Sequence, residues 1–163
     1  MTQWADFEPL AIMRALAARG VDYVVVGSYA AVTHGSPRLT QDLDISYDNS
    51  DANLTALSMT LHDLKARLAS IEESLPFDPH PDTLRRMEIL TLDTTSGRLD
   101  LLAAPAGAPP YARLRKSAAR YDLGGVVVLI ASIPDLLSMK RAAGRPKDLA
   151  DIAELEAIER LSR

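Results

Sequence analysis

The sequence has 163 residues, of which 47% are hydrophobic and 25% charged, with a net charge of −4 and no cysteine. This composition is typical of a globular protein and excludes disulfide frameworks and thiolate metal sites. The length predicts a single domain over 1–163, with a C-terminal helical part over 132–163, and charges throughout the first twenty residues argue against a signal peptide or membrane span. The lack of cysteine is compatible with a reducing compartment, so we expect a cytoplasmic protein.

The N-terminal segment predicts a helix that Asp6 caps and Gly20 ends, preceded by Trp4 as a lid on the core. A β-branched run over 24–26 follows, which predicts a strand buried on both faces. Gly27 then permits a sharp turn, and Ser28 is the expected N-cap of the next helix. A helix N-terminus after such a turn offers N–H groups to phosphate oxygens.

Asp42 and Asp44 lie two residues apart in the next predicted strand, with Leu43 and Ile45 between and after them. Alternate residues of a strand share a face, so both carboxylates point one way while the apolar pair points into the core. Two like charges on one face repel each other, and a cation between them removes that cost. Oxygen ligands at this spacing suit Mg²⁺ with a bound phosphate, whereas the alternative is a solvated polar edge.

A third carboxylate stands out further along the chain. Strands over 87–92 and 98–103 flank a turn over 94–97, which predicts a hairpin, and an amphipathic helix over 54–64 precedes it. Asp100 lies among leucines in the second strand, where a carboxylate is costly to bury without a partner. It is either a catalytic acid beside Asp42 and Asp44 or half of an ion pair.

The C-terminal third predicts a connector over 104–110, a helix over 111–120, a turn over 121–125 and a strand over 126–130. Ser132 is expected to cap a helix that Gly144 ends, and Pro146 opens a last helix. Four apolar residues recur along one side of that last helix: Leu149, Ile152, Leu155 and Ile158.

The segments Gly27-Ser28 and Asp42-Leu43-Asp44-Ile45, with Arg38 to Gln41 before the second, resemble the signature of the nucleotidyltransferase superfamily with the polymerase-β-like fold. The segment LLSMKRAAGRPKDLADIAEL over 136–155 further resembles AbiEii/MenT-type toxins and their short stand-alone relatives. The resemblance implies an α/β (α+β) fold, a mixed twisted sheet flanked by helices, with C-terminal helices.

The same resemblance implies the site residues. Asp42, Asp44 and Asp100 would be the metal ligands and, with Lys140, the catalytic residues. The nucleotide-binding residues would be Gly27, Ser28, Arg38, Thr40, Lys140 and Asp148. Two Mg²⁺ ions and an NTP substrate are the expected cofactors, and the reaction is of the EC 2.7.7 type.

The resemblance leaves the acceptor open. It implies a tRNA 3′ end as target of a toxin, with a cognate antitoxin as partner, although the net charge gives no global basic field for RNA. A local patch would have to bind it: Arg113, Arg115, Lys116, Arg120, Lys140, Arg141, Arg145 and Lys147. The alternatives are AMP transfer to a protein partner or to a small molecule such as an antibiotic, and a non-catalytic binding or antitoxin component.

Overall fold

The computed structural model describes residues 6–70, 72–73 and 75–163, so Trp4 lies outside the described part. The helices are α1 Pro9–Ala18, α2 Gly27–Thr33, α3 Asp51–Asp63, α4 Pro81–Arg86, α5 Tyr111–Ser117, α6 Ile133–Ala143 and α7 Pro146–Leu161. The strands are β1 Tyr23–Val26, β2 Asp42–Tyr47, β3 Arg67–Leu68, β4 Ile89–Thr94, β5 Gly97–Leu102, β6 Ala119–Leu123 and β7 Val126–Ile130.

The described strands form one mixed sheet in the order β3-β4-β5-β2-β1-β7-β6. β1 pairs antiparallel with β2, whereas β2–β5 and β1–β7 are parallel pairs. The hairpin β4–β5 lies beside β2, so the strand with Asp100 directly neighbours the strand with Asp42 and Asp44. The mixed twisted sheet flanked by helices that the sequence predicted is confirmed.

One face of the central strands belongs to the core. Leu43, Ile45, Leu99 and Leu101 have no solvent exposure and alternate with Asp42, Asp44 and Asp100, which are half-buried. Alternation places the acids on the opposite face from the leucines. The core also contains apolar residues of α1 and α3: Ile12, Met13, Leu16, Leu54, Leu57 and Leu61.

Several local predictions were wrong near helix starts. α1 begins at Pro9 after Glu8, without a capping contact from Asp6. Ser28 is not an N-cap, because α2 begins at Gly27 directly after β1 and Ser28 is its second residue. The helix begins two residues earlier than a cap at Ser28 requires, since Gly27 (φ 71°) makes the turn itself.

Three short elements were missed, β3, α4 and β6, and one helix face was misassigned. Tyr121 lies in β6 rather than in a turn, because β6 pairs with β7 along its whole length. The proline-rich loop contains α4, which starts at Pro81. On α7, Leu149 is exposed, whereas Asp148 faces inward. Asp148 can be buried there because Lys140 and Arg145 lie beside its carboxylate. In the described part of the chain, no helix has the length and apolar character needed to cross a bilayer.

Candidate active site

Asp42, Asp44 and Asp100 form a carboxylate triad on the open face of the sheet. The parallel pairing of β2 with β5 puts Asp44 directly beside Asp100 and Asp42 beside Arg98. One oxygen of each of the three carboxylates lies within 4.8 Å of the other two. The sheet register therefore brings Asp100 beside Asp42 and Asp44, although more than fifty residues of sequence separate it from them.

The triad is electrostatically strained as a set of bare anions. Burial, followed by the charges of Asp42 and Asp100, raises the pKa of Asp44 to about 8. Burial, together with the charge of Asp42, also raises the pKa of Asp100. One buried oxygen of Asp44 and one of Asp100 have no hydrogen-bond partner. Such orphaned oxygens, close together on rigid strands, fit a hard divalent cation.

Position 27 can be occupied only by glycine, for two reasons. Its φ of 71° lies in the left-handed region, and a Cβ there would lie 2.1 Å from an oxygen of Asp44. The backbone of the turn therefore passes directly against a triad carboxylate, which no side chain would permit. The α2 N-terminus is thereby held beside the acids.

The loop before β2 contributes two polar contacts. The Thr40 hydroxyl donates to Asp42 Oδ1 at 3.1 Å, which orients that carboxylate. Arg38 Nε lies 2.6 Å from Asp151 Oδ1, an ion pair too poorly directed to count as a hydrogen bond. Arg38 therefore contacts α7 and not the triad.

Lys140 lies in a buried charge network between α6 and α7. Its ammonium donates to Asp151 at 2.9 Å and lies 3.6 Å from Asp148. Asp148 has no solvent exposure and accepts from the Arg145 guanidinium and backbone, and the Arg145 bond lowers the pKa of Asp148 to about 2. Asp148 thus lies beneath the site, whereas Asp151 is a cavity-lining residue that the sequence did not single out as one. The sequence did contain a signal for Asp151: it lies three residues after Asp148 on the same helix, so both acids were candidates to pair with Lys140.

A cavity of about 610 Å³ opens in front of the triad, and we call it the triad cavity. Its apolar wall includes Leu136 and Met139, and Pro105 and Ala106 of the connector over 104–110 also line it. Its cations come from the α2–β2 loop, from α6 and α7, and from the residue before α7: Arg38, Lys140, Lys147 and Arg145. Gly27 and Ser28 line the same cavity as these cations and the triad. Binding of a triphosphate beside a metal would require such an arrangement.

The basic residues that the sequence suggested as a local RNA-binding patch lie in separate groups in the structure. Lys140, Arg145 and Lys147 line the triad cavity. Arg115 pairs with Asp22, which directly precedes the start of β1, whereas Gly27 follows the end of that strand. The patch is therefore not continuous from α5 to the triad.

The topology and site together define the fold of nucleotidyltransferases, and solved structures show the same fold. Lincomycin-bound LnuA, a lincosamide antibiotic adenylyltransferase, matches with a TM-score of 0.63 at 14% identity over 94% of this chain and 99% of its own. ANT(2")-Ia with adenylyl-2"-tobramycin matches with a TM-score of 0.56 at 15% identity, covering 92% of this chain and 90% of its own.

A nucleotidyltransferase-like protein from Paracoccidioides brasiliensis also matches, with a TM-score of 0.56 at 16% identity over 93% of this chain and 73% of its own. No protein-family model matches the sequence, and no curated protein matches it. The predicted polymerase-β-like nucleotidyltransferase fold is confirmed. The AbiEii/MenT-type subtype stays a prediction.

Proposed function

We propose that this protein transfers a nucleoside monophosphate from an NTP to an acceptor hydroxyl. The observation that carries the proposal is the carboxylate triad, whose oxygens lie within 4.8 Å of one another beside the Gly27 turn. In the reaction a bond forms between the acceptor oxygen and the α-phosphorus, and the bond from that phosphorus to the leaving pyrophosphate breaks. The hydroxyl proton passes to a carboxylate of the site or to water.

Divalent metal ions, for which we propose two Mg²⁺, would be held by Asp42, Asp44 and Asp100. When bound, they supply Lewis acidity to the acceptor oxygen and charge neutralisation to the phosphates. The chain's own residues position the reactants: Thr40 fixes the Asp42 carboxylate, and the α2 N-terminus faces the cavity. Lys140 and Arg38 would bind the triphosphate, so catalysis is mainly orientation and electrostatic stabilisation.

A small hydroxylated molecule is the acceptor that we favour. LnuA and ANT(2")-Ia, which act on antibiotics, cover this chain nearly from end to end, and LnuA has almost the same extent. The cavities at the triad are also of the size that holds small ligands.

The tRNA 3′ end is the second candidate acceptor. The four cations of the triad cavity favour it, since phosphates bind such groups. Under this proposal the protein would be a toxin with a cognate antitoxin. The interruption of the basic patch at Arg115, which is tied to Asp22, weighs against an extended RNA footprint.

The test is transfer from each α-labelled NTP, with Mg²⁺, to total tRNA, to a panel of antibiotics, or to protein. We expect label on one acceptor class only, and a rise in salt should abolish it if the acceptor is tRNA. Asp42→Asn and Asp44→Asn should each reduce transfer by at least about 10³-fold, while the exposed Asp78→Asn serves as the matched control. Wild-type rates in both triad variants would refute the metal assignment, and no label with no NTP-induced shift in Tm would favour a non-catalytic binding component.

A further inference from the structure

A second cavity of about 710 Å³ adjoins the triad on the same open sheet face. Its lining includes Asp42 at the start of β2, Asp93 and Thr94 at the end of β4, and Phe7 before α1. Asp42 is the residue that the lining of this cavity shares with that of the triad cavity. A molecule in the second cavity would therefore reach the triad from the side away from Gly27 and Lys140.

The two cavities differ in charge. Besides the triad acids, the triad cavity is lined by four cations and by Asp151. The second cavity is lined by Asp6, Asp42 and Asp93, and its cation is Arg98, whose guanidinium lies 3.5 Å from Asp93 Oδ1. The other oxygen of Asp93 is buried and has no hydrogen-bond partner. A buried carboxylate oxygen of this kind is satisfied by a donor, most strongly by a charged one.

The second cavity has a firm apolar wall. A Cβ on Gly97 would lie 2.9 Å from the Phe7 Cα, so the segment before α1 packs directly on the β4–β5 turn. The Phe7 ring meets Tyr29 edge-on, with centroids 6.3 Å apart. The cavity thus combines a fixed ring with hydroxyl, amide and carboxylate groups, a combination suited to a polyhydroxylated ring system.

We propose that the second cavity is the acceptor subsite and that the acceptor is an amine-bearing, polyhydroxylated small molecule. This inference rests on the proposed nucleotidyl transfer and names its substrate class. An ammonium group of the acceptor lies at Asp93, while one of its hydroxyls reaches the triad past Asp42. A polyanion such as RNA is disfavoured in this cavity, since its phosphates would face Asp6 and Asp93.

The test measures binding of two probes, glucosamine trisaccharide and an aminocyclitol glycoside, each paired with its N-acetylated form. Acetylation keeps the remaining hydroxyls and removes the positive charge. Calorimetry with Mg²⁺ and a non-hydrolysable NTP analogue should show at least one amine form binding about tenfold or more tightly than its acetylated partner. Asp93→Asn should remove most of that difference without changing the affinity for the NTP analogue.

Asp6→Asn is the second variant, because it removes a lining carboxylate without touching the sheet, and Asp78→Asn is the exposed control. Equal affinity of the amine and acetylated forms for both probes, absence of binding by all of them, or unchanged selectivity in Asp93→Asn and Asp6→Asn would overturn the proposal. Binding of the NTP analogue is recorded separately. Its loss in the wild-type protein would count against nucleotidyl transfer itself, whereas NTP binding without amine selectivity would count against the acceptor subsite alone.

Discussion

The Lys140 ammonium lies 2.9 Å from Asp151, and both side chains are at most one-tenth exposed. This pair joins α6 to α7 at the wall of the triad cavity. A buried ion pair is weak evidence for stability, but removing one partner strands the other charge in a poorly solvated position. The pair therefore has a structural role that must be separated from the proposed role of Lys140 in binding phosphate.

A double substitution separates these two roles. Lys140→Met should lower the free energy of unfolding by about 3 kcal/mol and reduce transfer, because the buried carboxylates of Asp148 and Asp151 lose the cation they share, and Asp151 keeps only Arg38 among the described cations. Adding Asp151→Asn should recover part of that stability, since one of the two buried carboxylate charges is then gone, but should not recover transfer. Thermal unfolding and steady-state kinetics measure the two effects, with the exposed Lys116→Met as control. Recovery of transfer in the double variant would show that Lys140 acts only through packing.

Gly27→Ala should damage the site more than the fold. The new Cβ would meet an Asp44 oxygen at 2.1 Å, and φ would remain at 71°. Gly20→Ala is the matched control, because Gly20 has a φ of 67° with nothing within 4 Å of its Cβ position. Both variants should lose about 1–2 kcal/mol from the strained backbone, but only Gly27→Ala should lose the Mg²⁺-induced rise in Tm. Equal Mg²⁺ responses in the two variants would contradict the close packing of Gly27 on Asp44.

A substitution of Asp148 can show whether this residue stabilises the fold or contacts the nucleotide. Its side chain has no solvent exposure and holds the first turn of α7 through Arg145. Asp148→Asn should therefore lower the free energy of unfolding by about 1–3 kcal/mol while changing KM for NTP by less than about threefold. A tenfold rise in KM at unchanged Tm would instead support the direct nucleotide contact that the resemblance implies.

The sequence predicted the strands that hold the triad better than the surrounding network of ion pairs, for physical reasons. Strand alternation and the Gly27 turn are local, so the shared face of Asp42 and Asp44 follows from spacing alone. Asp100 required the additional knowledge that β5 lies parallel to β2, and this came from the order of elements in the resembling family.

The inner face of α7 could not be predicted from its apolar spacing. Leu149 lies on the apolar stripe yet is exposed, whereas Asp148 and Asp151 are buried because cations of α6 and of the chain before α7 reach them. Their burial depends on tertiary ion pairs that no local pattern encodes. The second cavity was equally hidden, since Phe7, Thr40 and Asp93 come from three distant segments.

The raised pKa values of the triad predict an unusual pH dependence of stability. The pKa of Asp44 is about 8 in the folded protein against an ordinary value of 3.8, mainly because of burial, so between these values the folded state holds a proton that the unfolded state has released. The contribution of Asp44 to stability is therefore complete below about pH 4 and is lost as the pH rises through about 8. Asp100, whose pKa is also raised, acts in the same direction.

In EDTA, Tm should consequently carry a component that falls as the pH rises towards 8, and Asp44→Asn should flatten it while Asp78→Asn should not. Added Mg²⁺ should raise Tm more at pH 8.5 than at pH 6, because binding to the carboxylates must displace the proton. Thermal unfolding from pH 4 to 9 with and without Mg²⁺ measures both effects. A Mg²⁺-induced rise in Tm that is equal at pH 6 and pH 8.5, or larger at pH 6, would contradict metal binding that displaces protons from the triad.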